Sequence, residues 1–194
     1  MKKIVFGILL IVMPMLSGCG MKETYNLKNC EYEYHSITNL TIAGHDVSKG
    51  VSPLMLPVIL SILTGNATTI PLRFTLNVDV TNPNTGAASF ESMLYIISID
   101  DIKITDGNIT EPFRVEAGQS KILPVDIDVD VIDLNKLNTR PVTERAILNF
   151  LGLSDTPSKV HLQIKPSFKV ANQMFSAPGY ISVNFSFGGS KTTQ

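Results

Sequence analysis

The chain contains no tryptophan, only 7% aromatic residues, two cysteines and three histidines in 194 residues, and its formal net charge is only -1. Each shortage closes off a class of function. Without a basic excess there is no field to hold a nucleic-acid backbone, so no nucleic-acid partner is expected. Without tryptophan the usual stacking platform for sugars is missing. His35, His45 and His161 show neither HxH nor HxxxH spacing, so they do not read as a zinc set. No CxxC pair, Gly-x-Ser-x-Gly elbow or phosphate-binding glycine loop occurs. The expectation is a protein that is not an enzyme and carries no cofactor. With 44% apolar residues, the length suits a single compact domain.

What is present begins with an address. Lys2 and Lys3 precede an apolar run from Ile4 to Met15, which falls short of the about 20 residues a spanning helix needs. Leu16-Ser17-Gly18-Cys19 follows, and it resembles the lipobox of bacterial lipoproteins, in which cleavage precedes a cysteine that then carries lipid. The alternative is a plain signal peptide that contains a cysteine. The resemblance implies a signal peptide over 1–18, acylation of Cys19 (palmitate among the acyl groups), and export to a lipid-anchored place in the cell envelope. Gly20 after the cysteine fits the outer membrane in the enterobacterial pattern. Each buried CH₂ contributes about 0.8 kcal/mol, so several acyl chains anchor where one is marginal. Residues 19–29 then read as lipidated cysteine plus polar tether, and Gly20 to Asn29 would reach roughly 17 Å as flexible chain. With Cys19 acylated, Cys30 has no partner for an internal disulfide. It reads as a small buried residue at a strand start, with a reactive thiol or an intermolecular bridge as the alternatives.

Residues 30–188 read as one domain and 189–194 as a flexible tail. Its centre is Thr69 to Phe90, where Leu72, Phe74, Leu76, Val78 and Val80 alternate with Arg73, Thr75, Asn77, Asp79 and Thr81. That is a strand with one dry and one wet face. It stops at Asn82-Pro83-Asn84-Thr85-Gly86, written in residues that turns prefer. Glu31 to Ile37 and Leu40 to Gly44 read as two strands, and Ala88 to Ile99 as one long strand. Further strands are expected over Ile102–Thr105, Phe113–Glu116, Ile122–Val131, Lys159–Val170 and Tyr180–Phe187. Two helical inserts interrupt the series. Ser52 to Gly65 is apolar all round, whereas Thr139 to Gly152 is ordinarily amphipathic. The pattern predicts an all-β fold, a β-sandwich of about seven strands with one or two short helices.

The strand ending in Asn82-Pro83-Asn84, the apolar strand that resumes after it, and Gly118-Gln119 before the aliphatic alternation of Leu123 to Val131 together resemble the late-embryogenesis-abundant type 2 family, also called the WHy or water-stress domain. With its lipobox and its Phe187-Gly188-Gly189 ending, the chain resembles the lipoprotein members of that family in gut-type Bacteroidetes. The resemblance implies an immunoglobulin- or fibronectin-III-like sandwich and a loosely defined part in stress tolerance, with no catalytic residues. It makes Asn82, Pro83 and Asn84 a structural turn.

Two stretches compete for chemistry. Asp126, Asp128 and Asp130 share one strand face and form a weak candidate for Ca²⁺, but same-face neighbours lie about 7 Å apart. The competing reading is a solvated or aggregation-resistant face. Pro53 to Leu63 is the second, and Leu54, Leu56, Ile59, Leu60 and Leu63 are its candidate binding surface. It reads either as a plug closing one end of the domain or as an exposed apolar surface for a partner, a lipid or the membrane interface. The expected function is therefore a lipid-anchored, non-catalytic binding or scaffolding module, with an envelope protein or lipid as partner. The alternative is a carrier of an apolar ligand that uses the 53–63 insert.

Overall fold

A computed structural model describes residues 18–47, 53–64, 66, 68–133, 145, 148, 149, 154–170 and 172–187. Residues 1–17 of the expected signal peptide, the 189–194 tail and most of the expected 139–152 helix lie outside the described residues. Arg145, Leu148 and Asn149 of that helix are helical.

The period-2 segments become antiparallel sheets because alternation gives each strand one face that gains by leaving water. One sheet has the order β2-β1-β3-β8, formed by β1 (Glu31–Ile42), β2 (His45–Asp46), β3 (Pro71–Thr81) and β8 (Ser120–Asp130). Its middle strand, β3, buries Leu72, Phe74, Leu76, Val78 and Val80. Its neighbour β8 buries Leu123, Val125 and Ile127 beside them. The other sheet runs β10-β9-β5-β6, with β5 (Ser92–Ile99), β6 (Ile102–Ile109), β9 (Ser158–Val170), β10 (Gln173–Ser176), and β11 (Ile181–Phe187) also on β9. Ser167 pairs with Ser92 on one side and Ser176 on the other, so β10 and β11 follow one another along the same edge of β9. Met93, Tyr95, Ile97, Leu162 and Ile164 from this sheet join the β3 and β8 side chains in one core. A two-stranded ribbon, β4 (Ala88–Phe90) with β7 (Phe113–Val115), completes the described strands.

Three expectations change. The two strands read at Glu31–Ile37 and Leu40–Gly44 are one continuous β1, whose register slips at Tyr34/Ser36 and Thr38/Thr41. Asn39 sits there with φ 55°, which lets the ladder resume instead of ending. Conversely, Ala88–Ile99 is not one strand. It breaks at Glu91, whose N–H donates to Ser167 O (2.8 Å), and the halves join different sheets. Strand β10 was not expected, since Gln173–Ser176 is exposed throughout and carries no alternation.

Tyr95 links the layers. Its hydroxyl donates to Asp126 O across the core (2.8 Å), and its ring lies over Gly107, its register partner on β6. A Cβ at 107 would meet Tyr95 ring and hydroxyl atoms at 2.5–2.8 Å. We expect Gly107→Ala to lose about 1–3 kcal/mol by overpacking, read by denaturant unfolding. An unchanged midpoint would show that the ring shifts freely.

The strand ends define two poles. At one, Glu31 pairs with Thr81 and Thr81 with Ser120; at the other, Ile42 pairs with Leu72 and Pro71 with Asp130. At 3.2–3.4 Å per residue, β3 separates the poles by about 35 Å. Helix α1 (Gly18–Asn26) and the 3₁₀ turn Leu27–Asn29 lie at the first pole, and α2 (Leu56–Thr64), entered through the 3₁₀ turn Pro53–Met55, at the second.

Helix α1 corrects the expected tether. Thr24, Asn26 and Leu27 are buried. Thr24 Oγ1 donates to Ser89 O (3.0 Å), Asn26 Nδ2 to Ala87 O (2.8 Å), and Ser89 Oγ to Glu23 Oε2 (2.7 Å). Glu23 also pairs with Arg114. A polar composition suggested solvated chain, but these groups bond to the β4–β7 ribbon instead of to water. Among the described residues no helix is long and apolar enough to cross a membrane.

Candidate functional site

The family motif is built as a buried hub. Asn82 is fully buried, at 0% exposure. Its Nδ2 donates to Gly86 O (3.0 Å), Val115 O (3.1 Å) and Glu116 O (3.2 Å). Its Oδ1 accepts from Asn84 N (3.1 Å) and Asn84 Nδ2 (2.7 Å). Its backbone is held as firmly, accepting from Gly118 N (2.8 Å) and donating to Gln119 O (2.9 Å). Gly118 makes that turn at φ 70°, a conformation glycine adopts without a Cβ penalty. Asn84 Nδ2 reaches on to Asn26 O (3.0 Å), and Pro83 stands exposed between the two asparagines. One side chain thus ties together the end of β3, the 84–86 turn and the β7–β8 turn. Its partner Asn84 extends the network to α1. Every polar atom of the Asn82 amide is used, which leaves it no chemistry to offer a ligand.

Cys30 lies against this hub, its Sγ 3.5 Å from Asn26 O. Burial pushes its thiol up to about 11, far from the thiolate a nucleophile or metal ligand needs.

The acidic row stands on the outer face of β8, and its members do not converge on one point. Asp126 Oδ1 accepts from Thr75 Oγ1 (2.6 Å), and Asp128 Oδ2 from Arg73 Nε (2.7 Å). Asp130 accepts from Thr69 Oγ1 and from the N–H groups of Ile70 (3.1 Å) and Ile132 (2.8 Å). Among the described residues no group of three or more His, Cys, Asp or Glu is arranged to hold a metal ion.

Burial alone would raise the Asp130 carboxyl. The hydrogen bonds from Thr69, Ile70, Ile132 and Asp133 outweigh it and hold the group below the ordinary carboxylate value of 3.8. A depressed folded value stabilises the fold above the unfolded value, and that contribution is lost as pH falls through the folded one. Wild type should therefore be more stable than Asp130→Asn at neutral pH, and the gap should close below pH 3.8. Parallel denaturant titrations check it; a gap constant with pH would contradict the assignment.

The apolar insert divides its side chains between two tasks. Met55 is buried in the core, and Val58 and Ile59 pack against it. Leu56 and Leu60, one turn apart, are 56% and 57% exposed. The side chains of Leu54 and Leu63 lie outside the described residues. Residues read from sequence as one surface thus separate into a plug and an exposed pair. Arg145 and Asn149 lie at this same pole, bonded to Asp100 (3.1 Å) and Ser158 (2.8 Å).

A second apolar feature went unseen in the sequence. At the first pole, α1 and the β9–β11 edge enclose a cavity of about 380 Å³, lined by Met21, Tyr25, Lys28, Phe168, Tyr180 and Ile181 among others. Met21, Tyr25 and Lys28 follow i, i+4, i+7 spacing, the one signal that could have marked this face once the segment was read as helix.

The family model described as late embryogenesis abundant protein matches residues 77–181, more than half of the chain, so the chain belongs to that family. The family suggests a stress-related, non-catalytic protein. No curated protein matches the chain. Three of the solved structures that resemble it illustrate the likeness. An Archaeoglobus fulgidus protein is 14% identical, over 80% of this chain and 98% of its own, with a TM-score of 0.36. An Arabidopsis thaliana protein is 16% identical, over 81% and 80%, with a TM-score of 0.39. A late embryogenesis abundant protein is 16% identical, over 97% and 86%, with a TM-score of 0.35.

Proposed function

We propose, from membership of the late embryogenesis abundant family as the premise, that the chain is a lipid-anchored, non-catalytic docking module of the cell envelope. In this reading it is a Bacteroidetes-type lipoprotein, acylated at Cys19 and held at the outer membrane, with a stress-related role. The seven long strands among the described residues divide into three (β1, β3, β8) and four (β5, β6, β9, β11), which we read as an immunoglobulin- or fibronectin-III-like sandwich. The observation that carries the docking role is the exposure of Leu56 and Leu60 on a helix seated in the core by Met55 and Ile59. Side chains pre-positioned in this way lose little entropy when a partner covers them. A partner apolar at its centre, meeting the helix face, fits this surface.

A photo-crosslinker placed at Leu60 in cells should capture one reproducible envelope protein, and the Leu56→Ser/Leu60→Ser variant should lose the capture. Random neighbours alone would remove the docking reading. Native mass spectrometry separates it from the carrier of an apolar ligand: lipid that stays bound through purification would favour the carrier.

A further inference from the structure

We propose that the face around the α1 cavity lies on the bilayer surface, so that the anchored protein stands upright with α2 at its far end. This deepens the proposed function and rests on its acylated Cys19.

Three observations converge on that face. The first is apolar exposure: Met21 (56%) and Tyr25 (64%) on α1 line the cavity together with Tyr180, which is also exposed. Phe168 stacks on Phe175 with centroids 5.9 Å apart, which keeps the two rings at the cavity rim. Tyrosine is the residue that favours the headgroup level, with an apolar ring and a polar tip.

The second is charge. Among the described residues no carboxylate lines the cavity, whereas Lys28 does. Lys165 Nζ stands 5.7 Å from the centre of the Tyr180 ring, and Lys169 pairs in register with Met174 on the β9–β10 hairpin. Glu23, the acidic residue of α1, is turned to Ser89 and Arg114. Lysines around an apolar floor complement anionic headgroups above acyl chains.

The third is the attachment point. Cys19 lies in α1, two residues before Met21, about 3 Å along the helix axis. The helix is docked: a Cβ at Gly20 would stand 3.4 Å from Lys169 O. The attachment point therefore lies within one helical turn of this face, which places the face beside any bilayer that holds the lipid. A soluble partner would need to reach into that gap, which is why the bilayer is the occupant the geometry favours.

The absence of tryptophan makes the test clean. Full-length Tyr25→Trp and Leu60→Trp proteins are extracted from bacterial membranes, their acylation read by intact mass. They are then reconstituted in phosphatidylcholine–phosphatidylglycerol vesicles with or without lipids brominated near the glycerol. The indole at position 25 should emit at shorter wavelength and be quenched by the brominated lipid, and the indole at position 60 should not. Lys28→Glu/Lys169→Glu, both on exposed side chains, should reduce the quenching at 25 while leaving the mass added by acylation unchanged. Met21→Trp repeats the reading if Tyr25→Trp fails to fold.

Acylated protein with no quenching at 25 would overturn the docking and leave the anchor standing. An unmodified Cys19 would overturn the anchor and the docking with it. Quenching at 60 instead of 25 would show the opposite orientation. A blue-shifted indole at 25 without quenching, in a protein that crosslinks to itself, would identify a second copy as the occupant and overturn the proposal.

Discussion

Asn82→Asp is expected to lower the melting temperature by about 10 °C at neutral pH, the shift that roughly 3–4 kcal/mol gives in a domain of this size. The substitution keeps shape and reverses chemistry. The Asn82 Nδ2 that donates to Gly86, Val115 and Glu116 carbonyls becomes a carboxylate oxygen facing the same three oxygens. Each buried acceptor left unpaired costs about 1–3 kcal/mol, and the buried charge adds to it. The deficit should depend on pH in a stated direction. A carboxyl facing carbonyl oxygens has its folded pKa raised above the unfolded one, so its neutral form is tolerated at acid pH and the penalty grows as pH rises. Thermal melts of variant and wild type across pH 3–8 read both effects. Equal melting temperatures at pH 7 would mean that the hub does not hold the turns.

The second large effect is expected from removing α1. A chain beginning at Cys30 should be less stable than one beginning at Gly20 by about 4–6 kcal/mol, or roughly 10–20 °C in melting temperature. Leu27, 1% exposed, accounts for the largest share, since full burial of a leucine contributes about 1.5–3 kcal/mol. The Thr24 and Asn26 bonds to Ser89 and Ala87 contribute about 1 kcal/mol each, and Asn84 loses its acceptor on Asn26. Leu27→Ala alone should cost about 2–5 kcal/mol. A flexible tether would leave the melting temperature where it was, so the comparison decides between the two forms directly.

The same residues show which parts of the fold can be read from the chain. Strand β3 was legible because its burial follows its own alternation from Leu72 to Val80, a local property. Strand β8 was legible for the same reason, down to the outward face of its aspartates. Ala88–Ile99 was over-read, because a run apolar on both faces carries no mark of the break at Glu91. The role of Asn82 was half legible: a turn residue announces a turn, but its acceptors on Val115 and Glu116 lie more than thirty residues away in sequence and depend on tertiary placement. Helix α1 was missed because its defining atoms are polar groups satisfied by the β4–β7 ribbon, and composition does not separate a satisfied asparagine from a solvated one. The insert was recognised as apolar all round, yet the split between Met55 and Leu60 depends on which side of α2 meets the core.

The placement of the two helices at opposite poles also has a mechanical meaning. The chain leaves α1 through the 3₁₀ turn Leu27–Asn29 into β1 at Glu31 and reaches α2 only after β1 has ended at Ile42. Tension applied between the two helices therefore runs along β1, parallel to its axis and at right angles to its ladder of hydrogen bonds with β3. Such a load shears many bonds at once and does not peel them singly. The strand that joins the two poles is thus also the one arranged to transmit force between them without unzipping.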